Sequence, residues 1–302
     1  MSTLITLVGP TAIGKTDLAI KLAQELNTEI VSADSRQFFR EMSIGTAKPS
    51  AEELKSAKHH FINSHSIQDS FSVGDFEKEG LKVIEQIFQK HSTAILVGGS
   101  GLYINAITQG FDNLPKAPAE IREKLNKQLA DEGIEPLQQQ LKALDPDYFT
   151  EVDIHNPQRL IRALEVCLST GKTFSELRTH GEHSRPFKII KIGLNTDRGL
   201  LYERINQRVD QMMDSGLLKE AERLFPYRGL NALQTVGYQE LFDYFDGNCS
   251  LEEAIEKIKQ NTRRFAKRQL TWFRRDEDMT WFEPQETRQI IDFINNELGK
   301  IA

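Results

Sequence analysis

Cysteine is nearly absent from this chain: of 302 residues, Cys167 and Cys249 are the only two. They are too few and too far apart for a disulfide framework or a thiolate metal site. No apolar run approaches the ~20 residues that span a bilayer. The first residues read as the strand of a phosphate loop, and a signal peptide is not expected there. Internal repeats and low-complexity segments are missing as well. So is an excess of positive charge: 38 Lys and Arg against 44 Asp and Glu leave a net charge of -6. General attraction to nucleic acid is thereby excluded, and any such surface must be local. These absences, with ordinary apolar and charged fractions, fit a globular protein of a reducing cytoplasm with no membrane partner. The length suits about two domains.

What is present begins at Leu4. A short apolar strand runs into Gly9-Pro10-Thr11-Ala12-Ile13-Gly14-Lys15-Thr16, and a helix is expected from Asp17. This Gly-x4-Gly-Lys-Thr spacing is the phosphate-binding loop pattern. Its glycines let successive N–H groups curl into one concavity, and the helix N-terminus adds its positive end. Lys15 can reach terminal phosphates, and the Thr16 hydroxyl is placed to hold Mg2+. A plain Gly-rich turn is the alternative, against which stand the fixed spacing and the strand-to-helix context. The loop implies a polyphosphate without saying which.

A second parallel strand is expected over 29–34, followed by the polar turn Asp34-Ser35-Arg36-Gln37. Ligands of doubly wound sheets sit at the carboxyl ends of strands, so Asp34 shares a rim with the phosphate loop. A helix N-cap is the other role open to it. Lys48 reads as a solvated lysine, with a phosphate or RNA contact as its alternative. His59 to Asn63 reads as a strand whose paired histidines lack a third metal ligand. Ser72 to Asp75 resembles a capping box with Asp for Glu. The strand Ala94 to Val97 ends in Gly98-Gly99-Ser100 without the acid that energy-coupling P-loop proteins place there. This argues for a small kinase-like transferase instead.

From Asp112 the pattern changes to charged helical stretches broken by proline. Asn156 and Pro157 should start a helix that Gly171 ends, with Leu160, Ala163, Leu164, Cys167 and Leu168 buried and Arg159 and Arg162 on one outer face. Lys188 to Asn195 returns as a strand, and the following helix carries Arg204 and Arg208 one turn apart. Last, Thr262 to Arg275 holds six basic residues and no acid. Ala266, Leu270 and Phe273 fall at helical spacing, with Phe265 and Trp272 alongside. Such a stripe, led by Arg263, Arg264, Lys267 and Arg268, points to a nucleic-acid backbone.

The loop, Asp34 to Gln37, Ile44 to Pro49, Gly98 to Tyr103, Asn156 to Glu165, Arg208 to Asp210 and Thr262 to Arg275 occur together in this order. The whole chain closely resembles the bacterial tRNA dimethylallyltransferases (tRNA isopentenyltransferases). The resemblance implies transfer of a dimethylallyl group from dimethylallyl diphosphate to the exocyclic amine of the adenosine 3′ of the anticodon. It further implies that Asp34 accepts the amine proton, while Thr11, Lys15 and Arg208 steady the departing diphosphate, with magnesium at Thr16. Asp34, Ser35, Arg36 and Gln37 match positions that contact tRNA, as do Ser100, Arg122, Gln158, Arg159, Leu160, Ile161 and Arg162. Ile13, Ser100 and Phe38-Phe39 depart from the family pattern. Ile13 is expected to point away from phosphate, Ser100 keeps a hydroxyl, and Phe39 loses one.

The expected fold is α/β: a P-loop kinase-like core with a parallel sheet over 1–111 and 187–302, and a helical insertion over 112–186 that grips the tRNA anticodon stem-loop. The expected assembly is a monomer. Two rival readings use the same residues. A small-molecule kinase predicts an arginine-bearing lid over ATP and no extended basic helix. A non-catalytic RNA-binding protein predicts that Asp34 or Lys15 is dispensable.

Overall fold

The computed structural model describes residues 2–112, 114–178 and 184–299. The chain divides into two compact units, Met1–Gln109 with Ser184–Ala302, and Gly110–His183. The first contains the strands β1 (Thr3–Val8), β2 (Ile30–Ser32), β3 (His59–His60), β4 (Thr93–Gly98), β5 (Lys188–Leu194) and β6 (Thr280–Phe282). They form one sheet in the order β3-β2-β4-β1-β5-β6, with each pairing parallel.

Strands covered on both faces need apolar residues at both parities, and β1 and β4 have them. Leu4 and Val8 pack with Ala94 and Leu96 against Phe76, Ile84 and Ile87 of helix Val73–Phe88. Ile5 and Leu7 pack with Ile95 on the other face, against Leu18 and Leu22 of helix Lys15–Glu25. The result is a doubly wound sheet whose ligand edge is the carboxyl end of its strands.

Local backbone geometry trims several elements. β3 stops at His60 because Phe61 and Asn63 take φ of 62° and 56°, a region no strand uses. β2 stops at Ser32, ahead of the turn that Asp34 opens. The helix after the phosphate loop starts at Lys15, ahead of Asp17. Ser72 does form a capping box with Asp75.

The basic segment proves to be the second half of a longer helix, Leu251–Phe273, begun by a Ser250–Glu253 capping box. Its buried residues join three apolar clusters in turn: Ala254 and Ile258, then Ala266, then Phe273. Phe265, expected alongside the packed face, is 38% exposed. The first of these clusters is mostly helical and gathers Val209, Leu217, Leu233, Tyr238 and Leu241 with the loop residues Phe39 and Met42. Phe39 is thus an apolar packing residue there, without need of a hydroxyl.

Among its described residues the second unit contains the helices Ala119–Glu132, Glu135–Leu144, Pro146–Glu151, Pro157–Thr170 and Phe174–Leu177, and no strand. They enclose their own core, including Leu125, Leu137, Leu141, Leu164 and Phe174. The Asn156 side chain accepts the Arg159 N–H, Pro157 opens the helix, and left-handed Gly171 ends it. Leu168 lies in the last turn beyond that core and is 48% exposed, contrary to its place in the expected stripe. Among the described residues of the whole chain, no helix is long and apolar enough to cross a membrane.

Candidate active site

β1 ends at Val8 and the chain turns at once. Gly9 has no room for a side chain, since a Cβ there would lie 2.8 Å from the Leu194 carbonyl oxygen. Ala12 and Gly14 adopt φ of 63° and 101°, while Thr11 and Ile13 keep negative φ. Alternation of this kind gathers backbone N–H groups into an anion nest at a helix N-terminus. Holding Ala12 left-handed costs about 1 kcal/mol. Ile13 is fully buried in the sheet core, so it anchors the loop and leaves only its backbone for a ligand.

Lys15 lies beneath the loop, its Nζ donating to the carbonyls of Gly9 (3.0 Å) and Pro10 (2.7 Å). Burial lowers its pKa to about 8; the charge of Asp34 opposes that shift and Arg208 reinforces it. Arg208, from helix Arg198–Asp214, is also held below its ordinary pKa by burial, with Asp17, Glu53 and Asp34 opposing. No hydrogen bond among the described residues uses its guanidinium, so its donors are available to an anion.

Asp34 faces the same space from the end of β2. Its Oδ1 accepts the Arg36 N–H at 3.0 Å, closing an Asx turn instead of capping a helix. β4 lies between β2 and β1, so the Gly98–Ser100 turn separates Asp34 from the phosphate loop. Ser100 Oγ accepts the Ser35 N–H at 3.3 Å and ties these rims together. Thr11, Asp34, Ser35, Arg36, Ser100 and Arg208 thus line one cavity of about 590 Å³, whose apolar wall includes Val209, Met212 and Val236.

Other expected residues fall elsewhere. Gln37 donates its amide to the carbonyls of Thr46 and Ala47, both at 3.2 Å, so it supports a loop that lines the cavity. Lys48 is not solvated: it donates to the Phe39 carbonyl and to Asn63 Oδ1 (2.6 Å), and burial lowers its pKa to about 8. His60 is engaged by Glu29 at 2.6 Å and His59 by the Ala57 carbonyl at 2.8 Å.

Arg264, Lys267 and Arg268 are exposed and line a groove of about 460 Å³ with Thr271, Trp272 and Arg275. Arg263 differs, since it donates to Asn206 Oδ1 at 2.6 Å and lies over the Tyr202 ring. In the second unit Gln158 and Arg159 are exposed, but Leu160 and Ile161 are fully buried and have no side-chain surface to offer RNA. Arg122 and Arg162 both approach the buried Glu165, at 3.4 and 3.6 Å, which fixes their forks at the unit's surface.

Two residues of consequence lay outside the sequence reading. Glu220 accepts the N–H groups of Ser43, Ile44 and Gly45, each at 3.0 Å, and the Tyr238 hydroxyl at 2.7 Å. It holds the cavity-lining loop 45–47 in place. Gln269 reaches the phosphate loop itself. Each is a polar residue on the buried face of an amphipathic helix, which is the signal that marks them.

Magnesium can be weighed against the donors present. The Thr16 hydroxyl carries no protein hydrogen bond among the described residues, and no group of three His, Cys, Asp or Glu gathers to hold a metal there. A hard cation would take its remaining ligands from phosphate oxygens and water, which is how magnesium binds with substrate. The donor set therefore fits an ion that arrives with a polyphosphate.

A doubly wound parallel sheet with a phosphate loop and a facing carboxylate defines a kinase-like P-loop transferase. The sequence profile of IPP transferases matches residues 37–276, and the chain belongs to that family. It is 55% identical over 297 residues to the tRNA dimethylallyltransferase of Christiangramia forsetii, covering 98% of each chain. It is 47% identical over 294 residues to tRNA dimethylallyltransferase 1 of Bacteroides thetaiotaomicron, covering 97% of this chain and 96% of that one. The solved tRNA isopentenylpyrophosphate transferase of Bacillus halodurans superposes with a TM-score of 0.73 at 40% identity, over 99% of this chain and 98% of that one. A eukaryotic dimethylallyltransferase, captured in crystallographic snapshots acting on tRNA, superposes with a TM-score of 0.81 at 26% identity. That match covers 98% of this chain and 80% of that one.

Proposed function

We propose that the chain transfers the dimethylallyl group of dimethylallyl diphosphate to the exocyclic amine of the adenosine 3′ of the tRNA anticodon, releasing diphosphate. The observation that carries this reading is the cavity itself. It sets Asp34 across from an anion nest and from an Arg208 whose donors are unspent.

The donor's C1–O bond breaks as a bond from C1 to the amine nitrogen forms. Allylic diphosphates ionise readily, so the main task is to stabilise charge growing on the leaving oxygen. The backbone nest from Ala12 to Thr16, the Lys15 ammonium, the Thr11 hydroxyl and Arg208 supply fixed positive poles for it. Magnesium, held by Thr16 and the diphosphate, would add Lewis-acid stabilisation of the same charge. The adenine amine is a weak nucleophile that must be held in line, where orientation is worth several kcal/mol. Its proton passes to the Asp34 carboxylate. The target base must leave its stack to enter the cavity, whose rim carries Ser35, Arg36 and Ser100. Arg264, Lys267 and Arg268, with Arg122, Gln158, Arg159 and Arg162 on the helical unit, hold the RNA backbone. The protein works in the cytoplasm as a monomer on one anticodon stem-loop.

Incubating unmodified tRNA with protein, magnesium and dimethylallyl diphosphate should add one dimethylallyl mass to an anticodon-loop fragment. No such product, together with robust tRNA-stimulated ATP hydrolysis, would reject the reading in favour of a kinase-like activity. Negligible ATP hydrolysis is expected, because β4 ends in Gly98-Gly99 without an acid.

A further inference from the structure

Gln269 stands among the cations of the basic helix, yet its side chain is turned inward and is only 7% exposed. Its Oε1 accepts the Thr11 N–H at 2.9 Å, and its Nε2 donates to the Gly99 carbonyl, also at 2.9 Å. Both ends of the amide are committed, so its orientation is fixed: a flipped amide would set oxygen against oxygen. Gly99 makes room for it, since a Cβ there would lie 2.3 Å from Nε2.

The two contacts fall on neighbouring turns of the cavity lining, at the carboxyl ends of the paired strands β1 and β4. Thr11 gives its N–H to Gln269 and lines the cavity, and its hydroxyl makes no hydrogen bond among the described residues. On the β4 turn the Gly99 carbonyl is held by Gln269, and the next residue, Ser100, accepts the Ser35 N–H beside Asp34. We infer that Gln269 is a positioning residue, one amide that sets the spacing between Thr11 on the leaving-group side and the Ser100–Ser35–Asp34 rim on the nucleophile side. The inference rests on the proposed prenyl transfer. It implies loss of rate within the ternary complex without loss of binding. The nest from Ala12 onward, Lys15 and the exposed cations all remain when Gln269 is replaced.

Gln269→Glu and Gln269→Leu separate this from a packing role. An ionised Glu still accepts from Thr11 but turns an oxygen on the Gly99 carbonyl. A protonated Glu can donate to it again, and burial raises a carboxyl pKa. At about pH 8.5 the single-turnover rate of Gln269→Glu at saturating substrates should fall about 10- to 100-fold. Donor Kd should stay within about threefold. The rate relative to wild type should recover as pH falls toward about 6, while the Gln269→Leu ratio stays low and flat. A Gln269→Glu ratio that does not move with pH overturns the inference, as do rates within about threefold of wild type for either folded variant. If Gln269→Glu does not fold, Gln269→Leu decides: a rate loss without a change in donor Kd supports the inference, and a lowered melting temperature with normal rate overturns it. A wild type that transfers no prenyl group overturns the proposed reaction and this inference together, whereas a transferring wild type with unaffected variants overturns the inference alone.

Discussion

Lys15 carries a charge that its surroundings only half favour. Its pKa of about 8 lies below the ordinary 10.5, with burial as the largest cause. Because the folded value is depressed, the unfolded chain binds more protons between these two values. This group therefore opposes folding below about pH 8, and the opposition fades as pH rises toward 10.5. An anion in the nest favours the charged form, so binding above about pH 8 must draw in a proton and weaken as pH rises. Calorimetry of inorganic diphosphate binding at about pH 9, in buffers of different ionisation heat, should show uptake of up to about one proton. Lys15→Arg, which stays charged, should take up fewer protons than the wild type by up to about one, the diphosphate's own titration being common to both; equal uptake in both proteins would remove Lys15 from the diphosphate site. Asp34 makes a different kind of test. Asp34→Asn keeps an oxygen to accept the Arg36 N–H, so the turn survives, but it cannot take the amine proton. Substrates should bind within a few-fold while the single-turnover rate falls by roughly two to four powers of ten. A rate within about threefold of wild type would exclude the base assignment. The phosphate loop was legible from sequence because its chemistry is written in consecutive positions. Gln269 was not, because its partner Thr11 is 258 residues away. Lys48 was misread as solvated for a related reason: the Phe39 carbonyl and Asn63 of a folded loop, which no local pattern reveals, take up its donors.

The helix Leu251–Phe273 divides its work by face. Ala266, Gln269 and Phe273 are buried, while Arg264, Lys267 and Arg268 are exposed along one groove. Arg263 belongs to neither set, because its guanidinium is bound to Asn206 and covers Tyr202. Each phosphate contact releases about one counterion, so Lys267→Gln should reduce the salt slope of tRNA binding by about one. Arg263→Gln should instead lower the melting temperature and change the slope little. Equal slope changes for both variants, measured by binding titrations at several salt concentrations, would contradict this division. Apolar spacing revealed this helix but not its length. Its acidic first turns carry no basic stripe, and the start is marked by the Ser250–Glu253 box. The strands show the converse. Residues 59–63 have strand-like composition, but left-handed Phe61 and Asn63 end β3 early, and hydrophobic pattern does not encode the sign of φ.

At the scale of the whole molecule, the chain leaves the sheet-bearing unit after Gln109 and returns at Ser184. The exit and the return are held together within that unit. Arg185 donates to the Ile107 carbonyl at 2.8 Å and the Ala106 carbonyl at 2.7 Å, and pairs with Glu77 at 2.7 Å. None of the three phosphate-side groups, Lys15, Thr16 and Arg208, lies between those points, and the sheet has all its strands outside them. The helical unit in turn has a core of its own, centred on Leu137, Leu141, Leu160 and Leu164. Joining Gln109 to Ser184 through a short Gly-Ser linker should therefore leave a core that melts cooperatively and binds inorganic diphosphate within a few-fold of the full chain. The basic groove remains on that core, so some salt-dependent RNA affinity should persist. What should be lost is the second point of attachment through Arg122, Gln158, Arg159 and Arg162. Loss of one linked contact surface should weaken anticodon stem-loop binding by at least about tenfold. Prenyl transfer should fall with it and recover in part at raised RNA concentration. If the shortened core binds the stem-loop as tightly as the full chain, residues 110–183 take no part in gripping RNA. The arginines around Glu165 are then surface charges fixed by a buried acid.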